Sequence, residues 1–308
     1  MFVIGKVIGI NTSDNLFNIV VEDVEKKTFN LKIEEENGKN IRINETYEFE
    51  LKVLDGERIH YYITSYTNAK EFEFKKKSDT LRHFYNSSPL SLEDSEKEIN
   101  KYIALIDNKI LKDITKEILK KYHDDFYIYP AATRMHHAYI GGLSYHSIGM
   151  LHLAESLINI YPYLKKDYLY SAIILHDICK INELTEEVFP QYTPKGQLIG
   201  HLVLGAIEVN EAANKLGYKD TNEVMVLEHM LVSHHGIPQY GACKKPLTAE
   251  ALMLWYIDSI DSKFVTLEKE LENTNVEEFT QAIGVLEKTK FYKIWFEIIY
   301  WIFLINVI

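Results

Sequence analysis

Tyr170-Ser-Ala-Ile-Ile-Leu-His-Asp177 is the stretch on which the reading of this chain turns. Its apolar run predicts the C-terminal end of a buried helix, yet it closes on an imidazole and a carboxylate. Such a pair on a buried element costs free energy unless the two groups are paired or coordinate a metal. A capping or hydrogen-bonding role would explain the dipeptide alone, so its neighbours decide. Upstream, His146 opens an amphipathic helix carrying Ile148, Leu151, Ala154 and Leu157, and downstream Asp258 lies in the largely apolar helix 252–260. His, His-Asp and Asp on three helices supply three or four nitrogen and oxygen ligands, a set suited to Mn, Fe, Zn or Mg. His201 and the pair His234-His235, followed by Gly236 as a helix C-cap, add enough imidazole for a second metal, and Asp177 can bridge the two. His152 falls off the face of His146, and His60, His83 and His123 have no companions, so these read as surface residues. His229 is out of helical register with His234, and Asp261 shares the face of Asp258, which places it behind the ligands.

Outward from this centre the chain divides in two. Short alternating runs at 2–10, 16–21, 28–33, 46–54 and 60–64, rich in β-branched and aromatic residues, predict five strands without a helix of convincing length. Five strands over residues 1–70 suit a small OB-like β-barrel; a small sandwich or an SH3-like barrel fits the same pattern. A linker is expected over 71–90, where Lys75-Lys-Lys77 and Ser87-Ser-Pro89 interrupt the pattern. From Ser91, which opens a capping-box pattern, residues 91–308 read as an all-α domain. Ile99, Ile103, Ile106, Ile110 and Ile114 recur at helical spacing, and further helices are predicted at 143–159, 167–179, 201–216, 222–232 and 248–272. The apolar tail 294–308 is too short for a membrane span and reads as a packed or intersubunit helix.

The 34 Lys and Arg against 45 Asp and Glu leave a net charge of −11, which excludes a passive nucleic-acid coat with a basic surface throughout. A strand would need a local track, for which Lys75 to Lys77, Arg82, Lys120, Lys121 and Arg134 are the candidates. Two cysteines, Cys179 and Cys243, make no disulfide framework, and the first residues do not read as a secretory leader, so a cytoplasmic location is expected.

The order His146, His176-Asp177, His201, His234-His235, Asp258 resembles the HD-domain metal-dependent phosphohydrolases. Longer stretches narrow the resemblance: Tyr129-Pro-Ala-Ala-Thr-Arg-Met-His-His137, Gly142-Leu-Ser-Tyr-His146, Ile174-Leu-His-Asp-Ile-Cys-Lys180, Gly200-His201-Leu, Ser233-His-His-Gly236 and Ile257-Asp-Ser-Ile-Asp261. Together, over residues 90–292, they resemble the YhaM-like 3′-to-5′ exoribonucleases, in which an OB-type domain precedes an HD domain. The resemblance implies first-metal ligands at His146, His176, Asp177 and Asp258, and a second site at His201 and His234, with His235 as the alternative. It implies catalytic roles for Asp177 and for Lys180, a phosphate-facing cation, and substrate contacts at Arg134, His136 and His137. One or two divalent ions are implied, Mn first, with Fe, Zn, Mg or Co as alternatives. The implied activity is 3′-to-5′ hydrolysis of single-stranded RNA, with single-stranded DNA left open, by a homo-oligomer without a membrane span. Cys179 departs from the family, which generally has Gly there. The barrel also lacks an obvious row of exposed aromatics, Tyr47, Phe49, Tyr61 and Tyr62 being the candidates for base stacking. Two other functions fit the same residues: hydrolysis of a small or cyclic nucleotide, and single-strand binding without catalysis.

Overall fold

The computed structural model describes residues 1–54, 59–133 and 137–294. Five strands, β1 (Phe2–Ser13), β2 (Leu16–Asp23), β3 (Thr28–Glu34), β4 (Thr46–Leu54) and β5 (His60–Asn68), close a barrel in the order β1-β2-β3-β5-β4, with a one-turn helix α1 (Glu35–Gly38) after β3. All neighbours are antiparallel except β3 and β5, which pair in parallel through Leu31 and Tyr61. This is the OB arrangement expected from the sequence. Strand period 2 sends Ile19 and Val21, Leu31 and Ile33, and Phe49 and Leu51 inward. The first turn is tighter than expected, because Asp14 and Asn15 both take positive φ (49° and 63°), as a two-residue hairpin turn requires, and β1 runs on to Ser13. A register shift between Val7 and Gly9 bends β1 around the barrel. Tyr47 and Phe49 belong to the barrel core, whereas Tyr61 and Tyr62 are half-buried, and the Lys32 ammonium lies 5.9 Å from the centre of the Tyr62 ring.

The segment 71–90 is not a bare linker. Glu73 accepts hydrogen bonds from the backbone N–H groups of Lys75 and Lys76 and so caps α2 (Phe74–Phe84), whose Leu81 and Phe84 are buried. This helix joins the two domains: Lys76 pairs with Glu48 of β4 at 2.9 Å, and the Tyr85 hydroxyl donates to the Asn44 carbonyl at 2.6 Å.

The helical domain comprises α3 (Leu92–Ala104), α4 (Lys109–Lys121), α5 (His123–Ile128), α6 (Gly142–Ile160), α7 (Lys166–Leu175), α8 (Lys180–Glu183), α9 (Pro194–Leu198), α10 (His201–Leu216), α11 (Asn222–Ser233) and α12 (Ala249–Glu272). The isoleucine ladder from Ile99 to Ile114 is split between α3 and α4. Asn108 caps α4 by accepting from Leu111 N–H at 3.1 Å, while the Asp167 carboxylate takes the Asp107 and Asn108 N–H groups at 3.0 Å. Helix α7 lies at the centre of the core, with every residue from Leu169 to Leu175 buried. Burial of each large apolar side chain there contributes about 1.5–3 kcal/mol. Beyond α12, residues 277–293 fold back on themselves through bridges at Phe279–Tyr292 and Ile283–Thr289. Among the described residues no helix is long and apolar enough to cross a membrane. Of the apolar tail 294–308, all but Ile294 lies outside the described residues.

Candidate metal centre

Five helices and the turn after one of them deliver the side chains. His146 lies one turn into α6, His176 caps α7, Asp177 follows in the turn 176–179, His201 begins α10, His234 caps α11 and Asp258 sits midway along α12. The turn is where the expected helix 167–179 stops. The His176 Nδ1–H bonds back to the Ile173 carbonyl at 2.8 Å, and Ile178 N–H to that of Leu175 at 3.2 Å, so the chain turns before α8. Gly200, with φ +76°, turns the chain into α10.

The arrangement is organised by the Asp177 carboxylate, which is only 2% exposed. Its Oδ2 lies 3.2 Å from His176 Nε2 and 3.8 Å from His146 Nε2; its Oδ1 lies 3.2 Å from His201 Nε2 and 3.7 Å from His234 Nε2. Each oxygen therefore faces one pair of imidazoles. Asp258 joins the first pair, with Oδ1 3.4 Å from His146 Nε2, and the Lys180 ammonium lies 2.6 Å from Asp177 Oδ2.

The opposite ring nitrogens are tied down. His176 and His234 donate Nδ1–H to the carbonyls of Ile173 and Leu231 at 2.8 and 2.7 Å. His146 and His201 turn Nδ1 to carboxylates, to Asp261 Oδ2 at 2.7 Å and to Glu183 Oε2 at 2.8 Å. Partners on Nδ1 turn the Nε2 atoms inward, which is how outer groups orient metal-binding histidines. The Nε2 atoms of His176, His201 and His234 and Oδ1 of Asp177 are buried without a hydrogen-bond partner. Buried nitrogen and oxygen atoms left in this state fit a divalent cation, and ligand groupings such as His146-His176-Asp258 and His176-Asp177-His234 are close enough to hold one. The Cys179 thiol does not compete. It is buried in the core, and burial pushes its pKa up to about 12.

Electrostatics make the same point. Burial opposes the ionisation of Asp177, but His176 and Lys180 hold its carboxyl well below the usual range. Burial likewise opposes a charge on His146, yet hydrogen bonds to Asp258 and Asp261 raise it to about 10, and Asp177 and Glu183 raise His201 against the same penalty. His234 is pushed the other way by burial and by the neighbouring His235 and His176. The two carboxylates thus favour a proton on His146 in the chain free of metal, one that a bound cation displaces. Titration with Mn²⁺ at pH 7 is expected to release about one proton or more per chain, with affinity rising as pH rises. Calorimetry in two buffers of different ionisation enthalpy measures this; identical heats in both would contradict it.

A cleft of about 510 Å³ opens beside these groups, lined by Asp177, Lys180, His201, His235, Trp255 and Asp258. Gly236, with φ +78°, allows one wall to form, because a Cβ there would lie 2.0 Å from the Trp255 ring. His235 faces the cleft and donates Nδ1–H to the Tyr240 carbonyl at 2.7 Å, and it can still join His201 and His234 around an ion.

Not every expected site residue arrives here. Arg134 and His136 lie outside the described residues. His137 does not reach the cleft: it is 2% exposed, and its ring bridges the Tyr139 hydroxyl and Asp261 Oδ2, both at 2.7 Å. The ring holds Asp261, which in turn holds His146. Glu183, the partner of His201, is absent from the sequence reading because a carboxylate in a short polar stretch has the signature of a solvated face. Among the described residues, most of the expected basic track is spent on local partners. Lys75, Lys76, Lys77 and Lys121 pair with Glu93, Glu48, Glu187 and Glu208, and Arg82 spends its donors on Ser88 and the Leu90 carbonyl.

A helical domain that gathers His, His-Asp and Asp from separate helices around one carboxylate defines an HD-type metal-dependent hydrolase, and the HD domain family matches residues 143–263. Over 273 residues the chain is 37% identical to the 3′-5′ exoribonuclease YhaM of Geobacillus sp. (strain WCH70), covering 88% of this chain and 82% of that protein. It is 41% identical over 210 residues to the YhaM of Bacillus pumilus (68% of this chain, 67% of that protein) and 42% over 214 residues to that of Listeria monocytogenes serovar 1/2a (70% and 68%). The chain belongs to the YhaM 3′-5′ exoribonuclease family. No solved structure matches it.

Proposed function

We propose that this chain is a metal-dependent phosphodiesterase that removes nucleotides from the 3′ end of single-stranded RNA. The observation that carries the reading is the Asp177 carboxylate, with one oxygen toward His146 and His176 and the other toward His201 and His234. The proposed ligands are His146, His176, Asp177 and Asp258 for one ion and Asp177, His201 and His234 for a second, with His235 available to it. Mn²⁺ is the proposed metal, consistent with a donor set of nitrogen and oxygen alone. When bound, divalent ions supply the positive charge that polarises phosphoryl oxygens and lowers the pKa of water.

The chain's own groups account for the rest. Lys180, held as a cation by Asp177 against its burial, lines the cleft where it can meet a non-bridging phosphate oxygen. Glu183 and Asp261 keep the imidazoles of His201 and His146 in one orientation, so the reacting phosphate meets a preorganised set rather than mobile side chains. The DNA strand, as the chemically closest alternative substrate, would be cut by the same groups. The protein would act in the cytoplasm as a homo-oligomer; an exposed apolar row on α12, formed by Leu252, Tyr256, Ile260 and Phe264, supports the latter.

Incubation of the protein with Mn²⁺ and a 5′-labelled single-stranded RNA tests the reading. A ladder that shortens from the 3′ end and vanishes with EDTA or a blocked 3′ terminus is the expected result. An intact strand, together with hydrolysis of a cyclic dinucleotide, would put a small-nucleotide phosphohydrolase in its place.

A further inference from the structure

The loop 184–193, between α8 and α9, spans from the metal centre to the barrel. Its base is fixed at the centre: Leu184 bridges Tyr192, Thr185 N–H bonds to the Gln191 carbonyl at 2.9 Å, and Thr193 N–H bonds to the carbonyl of Glu183, the residue that orients His201. Its tip is fixed on the barrel side, where Lys70 holds Glu186 at 2.6 Å and Lys77 pairs with Glu187. Beside these ties stands Phe189, with φ +54° and 64% of its surface exposed. A bulky side chain in the left-handed region is strained, and strain that recovers no burial collects at ligand clamps.

Phe189 lines a groove of about 310 Å³ between the domains. Across it stands Tyr85, edge-on to the Phe189 ring with centres 6.4 Å apart, and the Lys6 ammonium of β1 lies 4.6 Å from the Tyr85 ring. The acid in the groove wall, Glu187, is neutralised by Lys77. Groove and metal cleft adjoin, because the same two segments line both. Pro130, Thr133 and Phe189 face the groove, while Ala131, Ala132 and Tyr192 face the cleft.

We propose that Phe189 is the stacking platform for a base of the incoming RNA strand, upstream of the 3′-terminal nucleotide in the metal cleft, with Lys6 as the cation for the accompanying phosphate. An exposed aromatic beside a cation is what single-strand binding uses, since every base offers a π-face. This assignment rests on the exoribonuclease reading. It also replaces the basic track that the sequence suggested with one aromatic platform and one cation.

Steady-state hydrolysis of a 5′-labelled ten-nucleotide oligo(A) and of the p-nitrophenyl ester of UMP by the full chain tests it. Phe189→Ala is expected to raise KM on the ten-nucleotide strand about tenfold, the size of one lost base stack, with kcat held. The penalty vanishes on the p-nitrophenyl ester of UMP, which carries no upstream base to stack, and Phe189→Trp restores KM to within about twofold. An unchanged KM on the longer strand, or an equal penalty on both substrates, would overturn the proposal while leaving the exoribonuclease reading standing. If the unsubstituted protein fails to shorten RNA from its 3′ end, that reading falls first and the stacking platform falls with it.

Discussion

Asp177→Asn lowers RNA hydrolysis by at least about 10³-fold, which corresponds to roughly 4 kcal/mol of transition-state stabilisation. The size follows from position. Removing a group that only orients a ligand typically costs about 10–100-fold, whereas Asp177 faces both imidazole pairs, so its charge is lost to both ion sites at once. Asparagine keeps the volume and leaves an oxygen for the Lys180 ammonium, so the helical content measured by circular dichroism stays that of the parent. Metal content after equilibration with Mn²⁺ falls with the activity. Full metal occupancy in an inactive Asp177→Asn protein would separate the carboxylate from the ions and contradict the assignment.

His234→Ala reduces activity about 10²–10³-fold, as for loss of a group that stabilises charge in the transition state, while His235→Ala costs only about tenfold, the low end of an outer-group effect. The two residues adjoin in sequence but differ in setting. His234 is fully buried, its Nδ1–H is spent on the Leu231 carbonyl, and its Nε2 lies 3.7 Å from Asp177. His235 is half-buried on the cleft wall and tethered to the Tyr240 carbonyl. Measuring kcat/KM and bound Mn²⁺ for both variants decides between them, and a larger loss in His235→Ala would reverse their roles.

How much of this was legible from residues alone depends on the kind of signal. The barrel strands were visible because period-2 alternation marks a half-buried sheet, and α7 because a run from Leu169 to Leu175 has no reason to exist outside a core. The candidate ligands stood out because imidazole and carboxylate are expensive in apolar surroundings. What escaped was whatever depends on partners distant in the chain. Lys76 and Lys121 look like free cations until Glu48 and Glu208 are placed against them, and Glu183 looks solvated until His201 begins α10 beside it. The bond from the His137 ring to Asp261, 124 positions away, has no trace in the sequence around His137. The helix in 74–84 was hidden by its lysines. Only the Glu73 cap and the inward Leu81 and Phe84 distinguish it from a linker.

Anomalous diffraction from crystals of the Mn²⁺-loaded protein locates the ions around Asp177. Two manganese peaks are the expected result, one among His146, His176 and Asp258 and the other between His201 and His234, with Asp177 shared by both. Manganese bound elsewhere, with these side chains engaged only with one another, would contradict it.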